Sequence, residues 1–163
     1  LESPDMESAL AVASQDRVCS PAHFLVASAE GEAVGLEVHP GEPGRLAAEG
    51  GVVTHTNHLY AAESTAQVED FPRADSRPRL ARLDALLRQE LAAEAPVDEK
   101  ALFALLSDHD GEPLSLCRHF NPAQPEEERM ETLFAVVMNL TERRLALRHG
   151  KPCESEETLV VAL

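Results

Sequence analysis

The chain has 163 residues, a length typical of one domain. Hydrophobic residues make up 44% of it, which excludes a disordered acidic tail, and aromatics only 4%, so Leu, Val and Ala must build the core. The net charge of −15 disfavours nucleic acid and anionic membranes as partners, because both would repel the chain. No apolar run approaches the ~20 residues that a membrane helix needs. We therefore expect neither partner.

Cysteine usage indicates a reducing environment. Cys19, Cys117 and Cys153 are odd in number and widely spaced, which argues against a disulfide framework and favours a cytoplasmic location. Because the sequence has no CxxC pair, a zinc ribbon is not expected. The sequence therefore predicts no metal site and no cofactor.

The first third of the chain predicts one helix and then antiparallel strands. Ser3-Pro4-Asp5 is typical of a helix start with Ser3 as the cap, and apolar residues at helical spacing continue to about Ser14-Gln15. The strand segments are short and apolar, and Gly or Pro bounds them. They are residues 22–27, 33–38, where Val and Leu alternate with Gly35 and Glu37, and a hairpin of 45–48 with 51–55 about Glu49-Gly50.

The middle of the chain predicts a loop and two helices. Residues 60–75 are polar and irregular, which indicates a surface loop. Pro78 then opens a helix with a leucine stripe, which Pro96 ends, and Asp98 caps a second helix. The leucines are Leu80, Leu83, Leu87 and Leu91 in the first helix, and Leu102, Leu105 and Leu106 in the second.

The C-terminal part predicts more strands. A short strand is expected over 114–117, a hairpin of 132–140 with 143–147, and a final strand over 158–163. Both faces of 132–140 are apolar, so we expect a central strand that is covered on both sides. Strands grouped around a helix pair predict an α+β fold with mostly antiparallel sheets.

His55-Thr56-Asn57-His58 is the most unusual local sequence. An Asn after a strand end can present its amide as an oxyanion donor. The two histidines could bind a metal if a further acidic or histidine ligand joined them. A third interpretation is ordinary surface-loop residues. The local residues leave all three open.

Two further groups carry reactive residues. Arg118, after the apolar 114–117 segment, could hold a carboxylate or form an ordinary ion pair. Asp108-x-Asp110-Gly111 lacks the other ligands of a calcium loop. Cys19 with His23 is a candidate nucleophile and base, although such partners are usually distant in sequence. The remaining two cysteines are expected to be inert thiols.

Seven motifs follow one another along the chain. They are Glu30-Gly31, His55-Thr56-Asn57-His58, the arginine-leucine helix of 76–87, Leu105-Leu106-Ser107-Asp108-His109, Ser115-Leu116-Cys117-Arg118-His119, Thr132-Leu133 with Val137-Met138-Asn139-Leu140, and Gly150-Lys151-Pro152-Cys153-Glu154. In this order and spacing they resemble the C-terminal portion of the isopenicillin-N acyltransferase-like family of N-terminal-nucleophile hydrolases. The resemblance covers nearly all of the chain.

The resemblance implies a four-layer αββα sandwich and a parent enzyme that cleaves itself to free an N-terminal Cys nucleophile. Such enzymes act on small-molecule amide or acyl-CoA-like substrates through a thioester acyl-enzyme, without a cofactor. The resemblance gives Asn57 the role of oxyanion donor, in a segment where Leu59 replaces the family's usual Phe. It gives Arg118 an active-site role, and the neighbouring His58 and His119 are expected to contact substrate.

The missing nucleophile is the main departure from the family's pattern. The chain begins Leu1-Glu2 and contains no Gly-Cys-Thr cleavage site. We therefore expect residues 1–163 to be the C-terminal portion of a single domain, inactive alone, that needs an upstream segment or chain carrying the nucleophile. The alternatives are a non-catalytic remnant or binding module with the same fold, and a metal-dependent hydrolase that uses His55 and His58.

Overall fold

The computed structural model of the chain describes residues 3–14, 18–93, 96–155 and 157–163. The fold is α+β with two antiparallel sheets, and the chain divides into two compact units, residues 1–76 and 77–163. No helix in the described ranges is long and apolar enough to cross a membrane. The elements in order are α1 (Met6–Ala13), β1 (Ala22–Ala27), β2 (Ala33–Val38), β3 (Gly44–Ala47), α2 (Ala62–Gln67), α3 (Ser76–Ala92), α4 (Glu99–Leu106), a 3₁₀ turn (Glu126–Glu128), β4 (Phe134–Asn139), β5 (Arg144–His149) and β6 (Leu159–Ala162).

Helix α1 begins later than predicted because Asp5, and not Ser3, is its N-cap. The Asp5 side chain accepts a hydrogen bond from Ser8 N at 2.7 Å, and this bond lowers the pKa of Asp5. A carboxylate at this position also complements the positive end of the helix dipole. The helix ends before Ser14, as predicted, and Gln15 lies outside the described residues.

The first sheet has the strand order β1-β2-β3, and β1 and β2 have the predicted bounds. Strand β2 pairs with a neighbour on each side, so Glu37 lies opposite both His23 and Gly44. Residues Gly35 to Val38 are all buried, as is typical of a central strand. Glu37 is therefore a fully buried carboxylate, which the sequence alternation alone did not indicate.

The predicted second hairpin is wrong. Only its first arm is a strand, β3, and that strand pairs with β2. The second arm is irregular except for an isolated bridge between Glu49 and Val52. Gly50 and Gly51 both have positive φ, of 61° and 81°, as in a two-residue hairpin turn, so a turn forms one residue later than predicted but its arms pair only at this bridge.

The predicted surface loop over 60–75 is also wrong in part, because it contains helix α2. This helix packs on β3, and Ala61 and Ser64 are buried. A Cβ at Gly44 would lie only 2.2 Å from Ser64 Oγ, so the helix approaches the strand closely because that strand begins with glycine. Burial against the strand orders a polar segment that has little apolar pattern of its own.

Helices α3 and α4 match their predictions closely. Helix α3 begins at Ser76, two residues before Pro78, and ends before Pro96. The Asp98 side chain caps α4 by accepting from Ala101 N at 2.7 Å. The hydrophobic core of the second unit consists of Phe103, Ala135, Val137 and Ala146, against which Leu102 and Leu106 pack.

The second sheet has the strand order β4-β5-β6, which confirms the predicted hairpin and final strand. The central position predicted for β4 is wrong, because β5 is the middle strand and β4 is an edge. The strand predicted over 114–117 is wrong as well. That segment consists of turns, and Cys117 N donates to Asp108 O at 3.0 Å instead of to a neighbouring strand.

One face of this sheet is apolar and exposed, which explains why β4 is apolar on both sides. Its inner residues Ala135 and Val137 pack in the core, whereas Phe134 and Met138 are 60% and 51% exposed. The strand pairing places residues of β5 and β6 on the same side of the sheet as Phe134 and Met138. We name it the open face, and its apolar residues are Phe134, Val136, Met138, Leu145, Leu147, Leu159 and Val161.

Candidate functional site

Asn57 lies in an irregular segment, residues 53–58, in the first unit. Its side chain is exposed, whereas the flanking His55 is partly buried and His58 is buried. A short, exposed amide between two anchored residues is a group that can donate a hydrogen bond to a developing oxyanion. The contacts of its neighbours show how the segment is anchored.

A buried carboxylate anchors the segment on both sides of Asn57. Glu37 Oε1 accepts hydrogen bonds from His55 Nε2 at 2.9 Å and from Tyr60 N at 2.8 Å, and Oε2 accepts from Ala61 N at 3.2 Å. Burial by itself would raise the pKa of Glu37, but these hydrogen bonds outweigh it and the pKa is lowered. Glu37 is therefore ionised at neutral pH, and it fixes the backbone that follows Asn57.

His23 packs against the other side of the His55 ring. The two imidazoles stack with their centroids 3.7 Å apart and an interplanar angle of 4°. A Cβ at Gly35 would lie 2.7 Å from His23 Nε2, so only glycine leaves room for the stack. Burial, with the neighbouring His55, lowers the pKa of His23 to about 4. Such a weak base is poorly suited to activate Cys19.

Thr56 and His58 attach the segment to Ser76. Thr56 Oγ1 donates to Ser76 O at 2.8 Å, and His58 Nδ1 lies 2.8 Å from Ser76 Oγ. These contacts hold the residues directly before and after Asn57. The substrate contact expected of His58 stays a prediction, since this residue is only 5% exposed.

The metal interpretation of His55 and His58 finds no ligand set. In the parts of the chain that the structure describes, one group of side chains has the geometry to hold a metal ion, and neither histidine belongs to it. His55 Nε2 is instead hydrogen-bonded to Glu37. The first unit thus holds Asn57 by hydrogen bonds and ring stacking.

Arg118 lies in the second unit and is only 7% exposed. Its backbone N–H donates to Thr132 Oγ1 at 2.9 Å, and its carbonyl accepts from Thr132 N at 3.0 Å. Its Nη1 lies 3.1 Å from Met130 Sδ. A guanidinium presents a planar fork of donors that suits a carboxylate, and the active-site role expected of Arg118 stays a prediction.

Asp108 forms an ion pair at the end of α4. Its two carboxylate oxygens accept from Arg82 Nε at 3.0 Å and Arg82 Nη2 at 2.6 Å. The hydrogen bonds from Arg82 lower the pKa of Asp108. This bidentate pair attaches the irregular segment after α4 to helix α3.

His119 lies among sulfur and nitrogen atoms that the sequence analysis did not identify as metal ligands. Its Nε2 is 3.2 Å from Cys153 Sγ and 3.0 Å from His109 Nε2, and Cys117 Sγ is 3.5 Å from Cys153 Sγ. Burial, with the nearby Cys153 thiol, raises the pKa of Cys117 to about 11, so this thiol is no nucleophile at neutral pH. His119 also lines a cleft of about 360 Å³ together with Phe120. The Cys-x-His spacing of 117 and 119 was the signal available in the sequence.

The chain matches known acyltransferases over most of its length. Residues 1–154 match the sequence profile of a family described as acyl-coenzyme A:6-aminopenicillanic acid acyl-transferase. The chain is also similar to the acyl-coenzyme A:6-aminopenicillanic-acid-acyltransferase 40 kDa form of Emericella nidulans, with 30% identity over 151 residues. That match covers 92% of this chain and 40% of the relative, so the chain spans less than half the length of this curated relative.

Proposed function

Because the chain belongs to the acyl-coenzyme A:6-aminopenicillanic acid acyl-transferase family, we propose that the protein containing it transfers or hydrolyses acyl groups at amide bonds. The substrates would be small-molecule amides or acyl-CoA-like thioesters. The observation that carries the proposal is the exposed Asn57 amide in a segment that buried Glu37 anchors.

The proposed mechanism begins with a cysteine thiolate supplied by an upstream segment or chain. The thiolate attacks the amide or thioester carbonyl carbon, and the carbonyl oxygen becomes an oxyanion. The amine or thiol leaves with a proton and a thioester acyl-enzyme remains. Water or an amine then attacks the thioester carbon, the carbon–sulfur bond breaks, and the cysteine thiolate is released with the acyl product transferred. This chain contributes the Asn57 amide, whose N–H donates to the oxyanion in both steps.

Preorganisation is what makes an oxyanion donor effective. An amide on a mobile loop would lose its advantage, because the loop would have to become ordered during the reaction. Glu37 and Ser76 hold the residues on either side of Asn57 before any substrate binds. Arg118, in the second unit, is proposed to bind an anionic group of the substrate.

The first experiment is an Asn57→Ala substitution in the complete natural protein. Removing one oxyanion donor typically raises the activation barrier by about 2.7–4 kcal/mol, so the turnover rate should fall by roughly 10²- to 10³-fold. The free energy of unfolding should stay the same. Steady-state kinetics with an acyl-CoA or amide substrate measures the loss. The control is Gln89→Ala, which removes an exposed side-chain amide from helix α3.

An unchanged turnover in the Asn57 variant would remove its catalytic role. If the wild-type protein also shows no turnover and no acyl-enzyme by intact mass, the non-catalytic remnant becomes the better description. An acyl-enzyme whose acyl group maps to an N-terminal cysteine upstream of this chain would support the thioester mechanism directly.

The four-layer αββα arrangement is part of the same proposal. In the second unit, α4 packs on the β4–β5 part of one sheet face, and the open face is left exposed. A sheet that a helix covers on one side and that is apolar on the other is expected to pack on a second sheet. We infer that strands of the complete protein cover the open face.

A charged substitution on the open face tests this arrangement. Met138→Lys should leave the chain alone unaffected, within about ±0.5 kcal/mol of unfolding free energy, because the side chain is exposed there. In the complete protein it should destabilise by several kcal/mol, since it would bury a charge. Chemical denaturation measures the free energy of unfolding in the chain and in the complete protein. The control is Leu91→Lys, at an exposed apolar residue of helix α3. Equal behaviour of the two variants in the complete protein would argue against the sandwich.

A further inference from the structure

Four potential metal ligands meet at one point of the second unit. They are His109, just after α4; Cys117 and His119, in the irregular segment that follows; and Cys153, after β5. Their ligand atoms all lie within 4.8 Å of one another. The three chain segments that carry them have no regular secondary structure at these positions.

The distances between these atoms fit a single tetrahedral ion. The measured separations are 3.5 Å for the two sulfurs, 3.0 Å for the two imidazole nitrogens, and 3.2 and 4.0 Å from His119 Nε2 to the sulfurs of Cys153 and Cys117. Zinc bonds of about 2.3 Å to sulfur and 2.0–2.1 Å to nitrogen give tetrahedral edges of about 3.3–3.8 Å. Four of the six separations therefore agree with those around a bound ion to within about half an ångström, and the two from His109 to the sulfurs are at most 4.8 Å.

A carboxylate lies behind one of the imidazoles. Glu154 Oε1 is 3.3 Å from His119 Nδ1, and Glu154 Oε2 is 3.1 Å from Lys151 Nζ. A histidine that binds a metal through one nitrogen usually donates its other N–H to a carboxylate or carbonyl, which fixes the tautomer and the ring orientation. Lys151 in turn holds the Glu154 carboxylate in place.

We propose that His109, Cys117, His119 and Cys153 bind Zn²⁺ in a closed, structural Cys₂His₂ site. Two thiolates and two neutral imidazoles offset the charge of the ion completely, and each thiol releases one proton to solvent on binding. Sulfur and imidazole ligands in a tetrahedral arrangement select Zn²⁺ over Mg²⁺ or Ca²⁺. Four protein ligands leave no position for substrate, so the site is structural. The proposal opposes the sequence-based expectation of no metal, and it does not rest on the proposed acyl transfer.

The ion would join three irregular segments of the second unit at one point. The chain from Ser107 to Leu133 contains only one short 3₁₀ turn, and irregular segments of this length are uncommon inside a compact domain unless something holds them. Arg118 lies between two of the ligands, so a bound ion would also fix the backbone that carries it.

A disulfide between Cys117 and Cys153 is the competing explanation of the sulfur contact. A disulfide needs its sulfurs about 2.05 Å apart, whereas these lie 3.5 Å apart and both thiols are free. A disulfide would also give no reason for His109 and His119 to converge on the same point.

The test measures bound metal in the complete natural protein, purified without chelator. Elemental mass spectrometry should find one Zn²⁺ per chain in the wild type and in Cys19→Ala, whose exposed thiol lies outside the cluster. Cys153→Ala and His109→Ala should lose the ion. Both residues are exposed, so circular dichroism should show a retained fold.

Replacement by Co²⁺ after chelation should give thiolate-to-cobalt charge-transfer bands and the strong visible absorption of a tetrahedral site.

Glu154→Gln should weaken Zn²⁺ binding by about 10- to 100-fold, measured by competition with a chelating dye, while Glu157→Gln should leave it unchanged. The proposal is overturned if the wild type neither retains Zn²⁺ nor gives the cobalt–thiolate bands. It is equally overturned if Cys153→Ala binds as much Zn²⁺ as Cys19→Ala, or if peptide mapping of the native protein finds Cys117 and Cys153 joined as a disulfide.

Discussion

The segment that carries Asn57 and the segment that carries Arg118 are both irregular, yet they are held by different chemistry. Residues 53–61 of the first unit are tied to a buried carboxylate, a hydroxyl and a stacked imidazole. Residues 107–133 of the second unit are tied by the Arg82–Asp108 ion pair and pass through the cluster of two thiols and two imidazoles. An irregular segment can therefore be ordered without regular secondary structure in either way, but the two ways differ in what disrupts them.

The largest effect is expected from removing the carboxylate of the first segment. Glu37→Ala leaves the His55 N–H and the backbone N–H groups of Tyr60 and Ala61 without their acceptor. The free energy of unfolding should fall by about 3–5 kcal/mol, as for other buried charged groups that lose a partner. Urea denaturation of the chain measures this loss.

The matched control is Glu32→Ala. Glu32 directly precedes β2, the strand that carries Glu37, but its side chain is exposed. Its substitution should change the unfolding free energy by less than about 0.5 kcal/mol. Similar losses in the two variants would mean that Glu37 does not anchor the Asn57 segment.

A smaller effect is expected from breaking the ion pair of the second segment. Asp108→Ala removes the bidentate partner of Arg82 and should lower the melting temperature by several degrees. Asp84→Ala, which breaks the exposed pair with Arg88 on α3, should change it little. Differential scanning calorimetry compares the two. Equal shifts would show that the Asp108 pair contributes no more than a surface pair.

The smallest effect concerns pH and belongs to the first segment. His23 has its pKa lowered from 6.5 to about 4 in the folded chain, so between these values the unfolded chain binds a proton that the folded chain does not. The contribution of His23 to the free energy of unfolding is therefore fully present above pH 6.5 and decreases as the pH falls towards 4. Because the ring is partly exposed, solvent screening limits the change to about 1 kcal/mol.

Denaturation at several pH values, in the wild type and in His23→Phe, tests this expectation. The variant keeps an aromatic ring on His55 but has no group that titrates, so its stability should depend less on pH in this range. The carboxylate of Glu37 and the ring of His55 both face His23, and Glu37 has its own lowered pKa, so a decrease below about pH 4.5 should persist in the variant. An unchanged slope between pH 6.5 and 4 would contradict the role of His23.

Periodic elements were predictable from the sequence, and contacts between distant segments were not. Strands β1 and β2, helix α4 with its Asp98 cap, and the β4–β5 hairpin follow from local patterns. Helix α2 was missed because burial against β3, and not its own sequence, orders it. The edge position of β4 was missed because its two apolar faces were taken to mean a central strand covered on both sides. One of these faces is not covered by any described part of this chain.

The candidate site divides in the same way. Asn57 and Arg118 were identified from motifs that resemble a known family. Glu37 was overlooked because a Glu in an alternating strand usually faces solvent, and only the contact with Tyr60 and Ala61 shows its role. His119 and the three residues around it were not recognised as a metal site because the four lie in three separate segments, and the Cys-x-His spacing links only two of them.

The two faces of β4 also differ in residue size, with a consequence for how this part of the chain can evolve. Small side chains, Ala135 and Val137, lie on the side of α4, while the larger Phe134 and Met138 lie on the open face. A larger residue on the α4 side would force the helix away from the sheet, whereas the open face tolerates a change of size within this chain. Substitutions along β4 are therefore restricted at every second residue. Within this chain, the residues of the open face can thus change in size without disturbing the core beneath them.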